Sequence, residues 1–307
     1  MKKVEPLKIT ERMNISQLVG QMENVGFGAG KISKASQIME KMFLDSKCKV
    51  FMGLAGAMVP AGMKFVILDM LDNVNVLVVT GATLTHDLIE ALGDEHYLIE
   101  EPFDDSSLNK KGLDRMYNVV MKNKVYEKLE NFFIANWEKF KSCKSIKELI
   151  WKIGELCPGT TENCILKKCY DRKIPIFCPA LADSGIGLMI WGRKASGKEI
   201  LIDAFEDMND IIDLAWTSTK TGIIYVGGGV PKNFIQQSLQ FSKGADYGIQ
   251  ITTDSTEPGG SSGAPLKEGI SWGKMKKKAD FVDVRCDATI ALPLIFGAIK
   301  DKARNLK

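Results

Sequence analysis

Residues 261 to 278 read SSGAPLKEGISWGKMKKK and place Glu268, Trp272 and Lys274 within seven positions of one another. A lysine becomes a nucleophile only when it is neutral, so it must be desolvated or set among other charges that favour loss of its proton. Trp272 offers an apolar wall two residues before Lys274, Gly273 lets the backbone pass close, and Glu268 is suited to hold a cationic substrate. The competing reading is that Lys274 is one more solvated charge in the run with Lys276, Lys277 and Lys278.

Three further loops have chemistry-bearing composition. In VVTGATLTHD, Thr80 and Gly81 follow an apolar run, and His86 and Asp87 sit at the expected start of a helix, where backbone N–H groups make an anion site; a plain strand-to-helix turn explains the same residues. In YVGGGVPKNF, Gly227, Gly228 and Gly229 allow close backbone approach to a phosphate or ring, and Pro231 suits an early helical position. The spacing is not GxGxxG, so no dinucleotide fingerprint can be claimed. In PALADSGIGLM, Asp183 is placed either to hold a ribose hydroxyl or an amine, or to cap the next helix.

The elements that must carry these loops follow a repeating rhythm. KVFMGLAGAMV (49–59), NVNVLVVTGAT (73–83), IPIFCPAL (174–181), TGIIYVGGG (221–229) and ADYGIQITT (245–253) are apolar, rich in β-branched or aromatic residues, and read as buried strands. Between them lie helical patterns such as HDLIEALG and KEILIDAFEDMNDIIDLAWTSTK, the latter with Ile202, Phe205, Ile212 and Trp216 near a three-to-four spacing. Near-continuous apolar strands alternating with helices predict a doubly wound, mostly parallel sheet with helices on both faces, its ligands beyond the strands' carboxyl ends. Residues 105 to 157, lysine-rich with an aromatic stripe, read as a helical insertion. A single domain over 1–307 is expected.

Composition narrows the class. The 307 residues are 45% hydrophobic and 26% charged, as in a globular protein with a substantial core. A net charge of +3 gives no nucleic-acid footprint. The N-terminus lacks the apolar core of a signal peptide, and no apolar run approaches the roughly 18 residues of a membrane span, so a cytoplasmic protein is expected. Seven cysteines disfavour a complete disulfide framework. Cys143, Cys157, Cys164 and Cys169 cluster without a CxxC pair or a nearby histidine, so free thiols are expected and no metal.

At these loops the chain resembles the deoxyhypusine synthases. SGAPLKEGISWGK resembles their active-site segment, and the similarity runs through VGFGAGKISKASQIMEKM, IPIFCPALADSGIG, GIIYVGGGVPKN and GADYGIQITT to VRCDATIALPLIF, in the same order. The resemblance implies a Rossmann-like fold, a homotetramer with active sites between subunits, and NAD as cofactor. It implies oxidation of spermidine to an imine, capture of the four-carbon fragment by a lysine, and transfer to a lysine of the hypusine-carrying translation factor precursor. Carried over by position, Lys274 forms the imine, Trp272 packs beside the substrate, and Glu268 binds its amine, with His86, Asn233 and Asp254 at or near substrate-holding positions. Thr80, Gly81, Asp183, Gly227, Gly228, Gly229, Thr253 and Asp287 match positions near the cofactor.

The chain also departs from the pattern of eukaryotic members. They have a glutamate at His86, aspartates at Leu188 and Ser261, and a histidine at Asn233; near the cofactor they have an asparagine at Ala57 and an aspartate at Pro258. Asp254 and Glu257 are candidates to replace the missing carboxylates. Three readings follow: a deoxyhypusine synthase, a related aminobutyl transferase with another amine donor or a small-amine acceptor, as in homospermidine synthesis, and a non-catalytic NAD-binding relative.

Overall fold

The computed structural model describes residues 1–305. Its main sheet has six strands: β1 (Cys48–Leu54), β2 (Val76–Val79), β3 (Ile176–Phe177), β4 (Lys220–Val226), β5 (Ala245–Thr252) and β6 (Met275–Arg285). Their spatial order is β3-β2-β1-β4-β5-β6, so the direction of winding reverses between β1 and β4. This is the doubly wound order, whose ligand crevice lies at that reversal. β1 runs parallel to β4 with Cys48 opposite Lys220 and Leu54 opposite Val226. β4 runs parallel to β5, which runs parallel to β6 after an irregularity between Ala245 and Tyr247. Five of the strands were legible as apolar runs, and β4 shows why: six of its seven residues are buried.

β6 was not legible. Lys276, Lys277 and Lys278 disguise it as a solvated run, yet all three lie in the strand. It is an edge strand, so one side of its ladder is open. Lys277 and Lys278 are exposed, Lys276 pairs with Asp246 at 2.6 Å, and Met275, Val282 and Val284 face the core. Lysines on an edge strand discourage pairing with another chain's edge.

The backbone divides into two compact units: residues 1–55, 70–78 and 208–307, and residues 56–69 and 79–207. In the first, helix Phe27–Leu44 buries Ile32, Ala35, Ile38, Met39 and Met42, a three-to-four repeat, and packs on β5, β6 and helix Ala288–Asn305. Helix Gly229–Gln240 packs on β1.

The second unit contains helices Gly81–Ala91, Val125–Phe140, Ile146–Leu156, Ile165–Asp171 and Gly185–Ala195. The segment expected to be a wholly helical insertion also carries a hairpin, Leu113–Met116 with Val119–Lys122, joined by Tyr117 and Asn118, and strand Tyr97–Leu98 adds to it. Val119, Val120 and Met121 are buried, and Met121 joins Ile89 and Val125 in a core cluster that Met116 and Tyr126 flank. The β-branched pair and the positive φ of Tyr117 (52°) override the helical charge pattern around them.

Helix Ala204–Trp216 forms as expected but turns a different face inward. Ile211 and Ala215 are buried, whereas Phe205 and Trp216 are 78% and 68% exposed. Asp207 is the reason: it is buried, and its carboxylate accepts the N–H of Lys147 at 3.0 Å near the start of helix Ile146–Leu156. A carboxylate buried on that face must keep such a partner, which fixes the side of the helix that turns inward.

Candidate functional site

Lys274 is the residue directly before β6. Its N–H donates to Gly269 O at 2.8 Å and its own carbonyl accepts Ala245 N–H at 3.0 Å, which clamps it between the short 3-10 turn Leu266–Ile270 and the start of β5. Gly273 permits the turn into the strand with φ +72°. The side chain is withdrawn from solvent, 8% exposed overall. Its Nζ stands 4.9 Å from the Trp272 ring centroid, and among the described residues it has no hydrogen-bond or ion-pair partner. Lys276, two residues on, is paired, and Lys277 and Lys278 are exposed. Lys274 therefore separates physically from the run that follows it.

The loop leading to Lys274 is pinned from beneath. Buried Lys232 donates to Ser261 O at 2.6 Å and Ala264 O at 2.5 Å, and Gln250 Nε2 donates to Ser262 O and Ala264 O, each at 3.2 Å. Asp283 accepts Leu266 N–H at 3.0 Å. Burial brings the Lys232 ammonium down to about 8, against the opposing pull of Asp283 and Glu268. Burial likewise raises the Asp283 carboxyl above its ordinary range, although the Leu266 N–H works against it.

The glycine turn after β4 lies directly against this loop. Gly229 N–H donates to Ser262 Oγ at 2.8 Å, and a Cβ on Gly228 would stand 2.3 Å from Ser262 Cα. Gly227 and Gly229 have positive φ, 75° and 59°. The three glycines thus serve the chain's own close approach of two loops at the β1/β4 reversal, where Ala55 N–H also meets Val226 O at 2.9 Å. Asn233 is exposed on the helix that follows. Thr253 and Asp254 are exposed past β5, and Asp254 O accepts from Arg285 at 3.1 Å. Glu268 and Trp272 are exposed beside Lys274. Asp287 accepts from Thr289 N–H at 2.7 Å and Thr289 Oγ1 at 2.6 Å, bonds that hold its carboxyl below the usual range.

In the second unit, Thr80 caps helix Gly81–Ala91 by accepting Thr83 N–H. Gly81 is needed there because a Cβ would stand 2.4 Å from Ser184 Cβ. Ser184, not Asp183, caps helix Gly185–Ala195, accepting Gly187 N–H at 3.0 Å. Asp183 is thereby freed of the capping role open to it in sequence, and its exposed carboxylate has no partner among the described residues.

His86 and Asp87 lie in the second turn of their helix and are buried, not at its exposed start. Asp87 accepts Ile165 N–H at 3.0 Å, Leu166 N–H at 2.8 Å and the Cys164 thiol at 3.2 Å, so it caps a neighbouring helix. Burial nevertheless raises its pKa. Cys157 and Cys164 are free thiols with sulfurs 3.7 Å apart. His86 Nδ1 meets His96 Nε2 at 3.0 Å, and His96 Nδ1 meets Glu90 at 2.8 Å. Sequence reasoning passed over His96, Lys232, Gln250 and Ser262; the only signal for the first is that it is the other of two histidines in the chain.

NAD requires a glycine-lined helix start and a carboxylate free to take a hydroxyl. The Gly227–Gly229 turn of the first unit offers the former.

A family model described as deoxyhypusine synthase matches residues 17–299. A "probable deoxyhypusine synthase 1" of Methanosarcina acetivorans is 39% identical over 303 residues, spanning 97% of this chain and 95% of that protein. One of Archaeoglobus fulgidus is 38% identical over 297 residues, spanning 96% and 97%. Among solved structures, a protein of Entamoeba histolytica assigned as a deoxyhypusine synthase aligns with TM-score 0.64 and 19% identity over 94% of this chain and 93% of that one, which supports the fold. With a near full-length match of sequence and the fold in agreement, the chain belongs to the deoxyhypusine synthase family and is a transferase.

Proposed function

We propose that the protein transfers the aminobutyl group of spermidine, through an imine on Lys274, to a lysine of the hypusine-carrying translation factor precursor, working as a cytoplasmic homotetramer. One observation carries the assignment of the nucleophile: Lys274 is withdrawn from water over the Trp272 ring and, among the described residues, has no carboxylate to hold it. Lys232 and Lys276, by contrast, have their ammonium groups held by carbonyls and a carboxylate. The Lys274 amine adds to the carbon of an oxidised substrate imine, expels the departing diamine and leaves the four-carbon fragment as a protonated imine on Nζ. The acceptor lysine repeats the exchange and frees Nζ. Glu268, exposed in the same loop, supplies an anionic contact for an ammonium group, and Asp254 and Asn233 border the loops on either side. The residues that would hold NAD are Thr80, Gly81, Asp183, Gly227, Gly228, Gly229, Thr253 and Asp287. When bound, NAD supplies the hydride acceptor for the first oxidation and the donor for the final reduction.

The test is borohydride trapping with NAD and spermidine labelled in its four-carbon arm. Label should be fixed on Lys274 and be absent from Lys274→Ala. Equal labelling of the two proteins, or none in the wild type, overturns the assignment. A second reading, with another amine donor or a small-amine acceptor, is favoured by Leu188, 57% exposed on helix Gly185–Ala195 where the eukaryotic pattern has a carboxylate. A panel of amines with and without the translation factor precursor, read by mass spectrometry, separates the two: exclusive transfer from spermidine to the precursor removes the second.

A further inference from the structure

The two histidines of the chain meet in the second unit and form a hydrogen-bonded series that ends on an ion pair. His86 and Glu90 are four residues apart on helix Gly81–Ala91 and so share a face. His96 bridges them: its Nε2 is 3.0 Å from His86 Nδ1 and its Nδ1 is 2.8 Å from Glu90 Oε1. Glu90 Oε2 takes Lys64 Nζ. His96 reaches this position because the next two residues, Tyr97 and Leu98, pair with Val120 and Val119 of the hairpin. The side chains of His96, Lys64 and Glu90 are only 5%, 13% and 19% exposed.

The direction of the hydrogen bonds follows from charge. Burial raises the Glu90 carboxyl, but the bonds from His96 and Lys64 outweigh it and keep it ionised. An ionised carboxylate only accepts, so His96 Nδ1 must carry a proton. Lys64 already balances Glu90; a protonated His96 would add a second, unbalanced cation in a buried place, which is costly. His96 is then neutral, its Nε2 is a lone pair, and His86 Nδ1 must be the donor. That leaves the lone pair of His86 on Nε2, which makes no hydrogen bond to any described residue.

We infer that His96 and Glu90 are positioning residues that lock His86 in its Nδ1–H tautomer, so that Nε2 offers a neutral hydrogen-bond acceptor to an ammonium group of the amine substrate. The naming of the ligand rests on the function proposed above; the lock is a property of the free protein. It also stays uncharged: burial brings the His86 imidazole down to about 4, with Glu90 opposing.

Nitrogen-15 NMR of histidine-labelled, tag-free protein tests this directly, because the chain has only two histidines. Between pH 5.5 and 8, His86 should show a protonated Nδ1 and an unprotonated Nε2 with no titration. His96→Leu should release the lock and populate the Nε2–H form, while His96→Gln, whose side-chain oxygen still accepts, should keep it. A wild-type His86 that is Nε2–H, or that titrates near pH 6.5, overturns the lock, as does an unchanged tautomer in His96→Leu. Spermidine should shift the His86 Nε2 resonance. In turnover, His96→Leu should raise KM by roughly tenfold, the worth of a charge-assisted hydrogen bond, with kcat within twofold and recovery in His96→Gln. A response at Nε2 without turnover would sink the transferase reading and sustain the lock and its ligand. Turnover with a silent Nε2 would sustain the transferase reading and remove the amine as the ligand of His86.

Discussion

At the scale of single residues, environment distinguishes side chains of the same type. Lys232 and Lys274 are withdrawn from water and Lys276 is half-buried, yet Lys232 is held by two carbonyls, Lys276 by Asp246, and Lys274 by neither. Trp272 is 57% exposed, so Trp272→Ala should change stability by no more than about 0.5 kcal/mol. Activity should fall at least tenfold if the ring walls the amine, a contrast read by thermal melts beside steady-state kinetics. His86 yields a pH prediction. Its folded pKa of about 4 lies below the ordinary ~6.5, so between those values the unfolded chain binds the extra proton. The stabilisation is complete above about pH 6.5 and is lost as pH falls toward 4, amounting to about 3 kcal/mol. Urea titrations from pH 7 to 4 should show this slope in the wild type and a shallower one in His86→Gln.

At the scale of elements, the loop that delivers Lys274 is held by neighbouring strands and helices. Lys232→Met would leave Ser261 O without its donor and Ala264 O with Gln250 alone, an expected cost of roughly 1–3 kcal/mol, with a matching loss of activity as the loop loosens. Gly228→Ala should be similarly damaging, because the added Cβ meets the backbone of Ser262 and overpacking of this kind costs about 1–3 kcal/mol. Gly192→Ala is the contrasting case. It lies within helix Gly185–Ala195 with nothing within 4 Å of the added carbon, and should stabilise by roughly 0.5–1 kcal/mol. Melting temperatures of the three variants should fall, fall and rise.

At the scale of the whole molecule, the described residues include no helix long and apolar enough to cross a membrane, and 41 basic residues nearly balance 38 acidic ones. Large apolar side chains nevertheless stand in solvent. Leu188 and Trp191, three residues apart on one helix, are 57% and 67% exposed, the sort of patch that marks an association surface. The homotetramer proposed for the protein should appear in light scattering as a mass of four chains. Trp191→Glu should lower that mass if this helix is one of the contacts. A wild-type monomer at micromolar concentration would remove the tetramer.

The sequence by itself determined the doubly wound architecture, because buried parallel strands must be apolar along their whole length and so stand out from the helices between them. It brought Lys274 forward only through the resemblance of SGAPLKEGISWGK to the deoxyhypusine synthase active-site segment, because its composition alone fits a solvated lysine run equally well. Tertiary structure alone decided the rest. Lysine content concealed β6, whose identity depends on lying at the edge beside β5. The hairpin at 113–122 was hidden in a helical charge pattern, since strand pairing is a contact between distant residues that no local period reports. Asp183 reads in sequence as a ligand-holding residue or a helix cap; backbone geometry gave the cap to Ser184, which sequence reasoning passed over. His96 had no local mark of any kind; only the small sheet, by placing its ring between His86 and Glu90, turned a surface-type sequence into a hydrogen-bonded series. Local pattern encodes what each segment must bury, whereas which distant groups share a proton is settled only by where the segments pack.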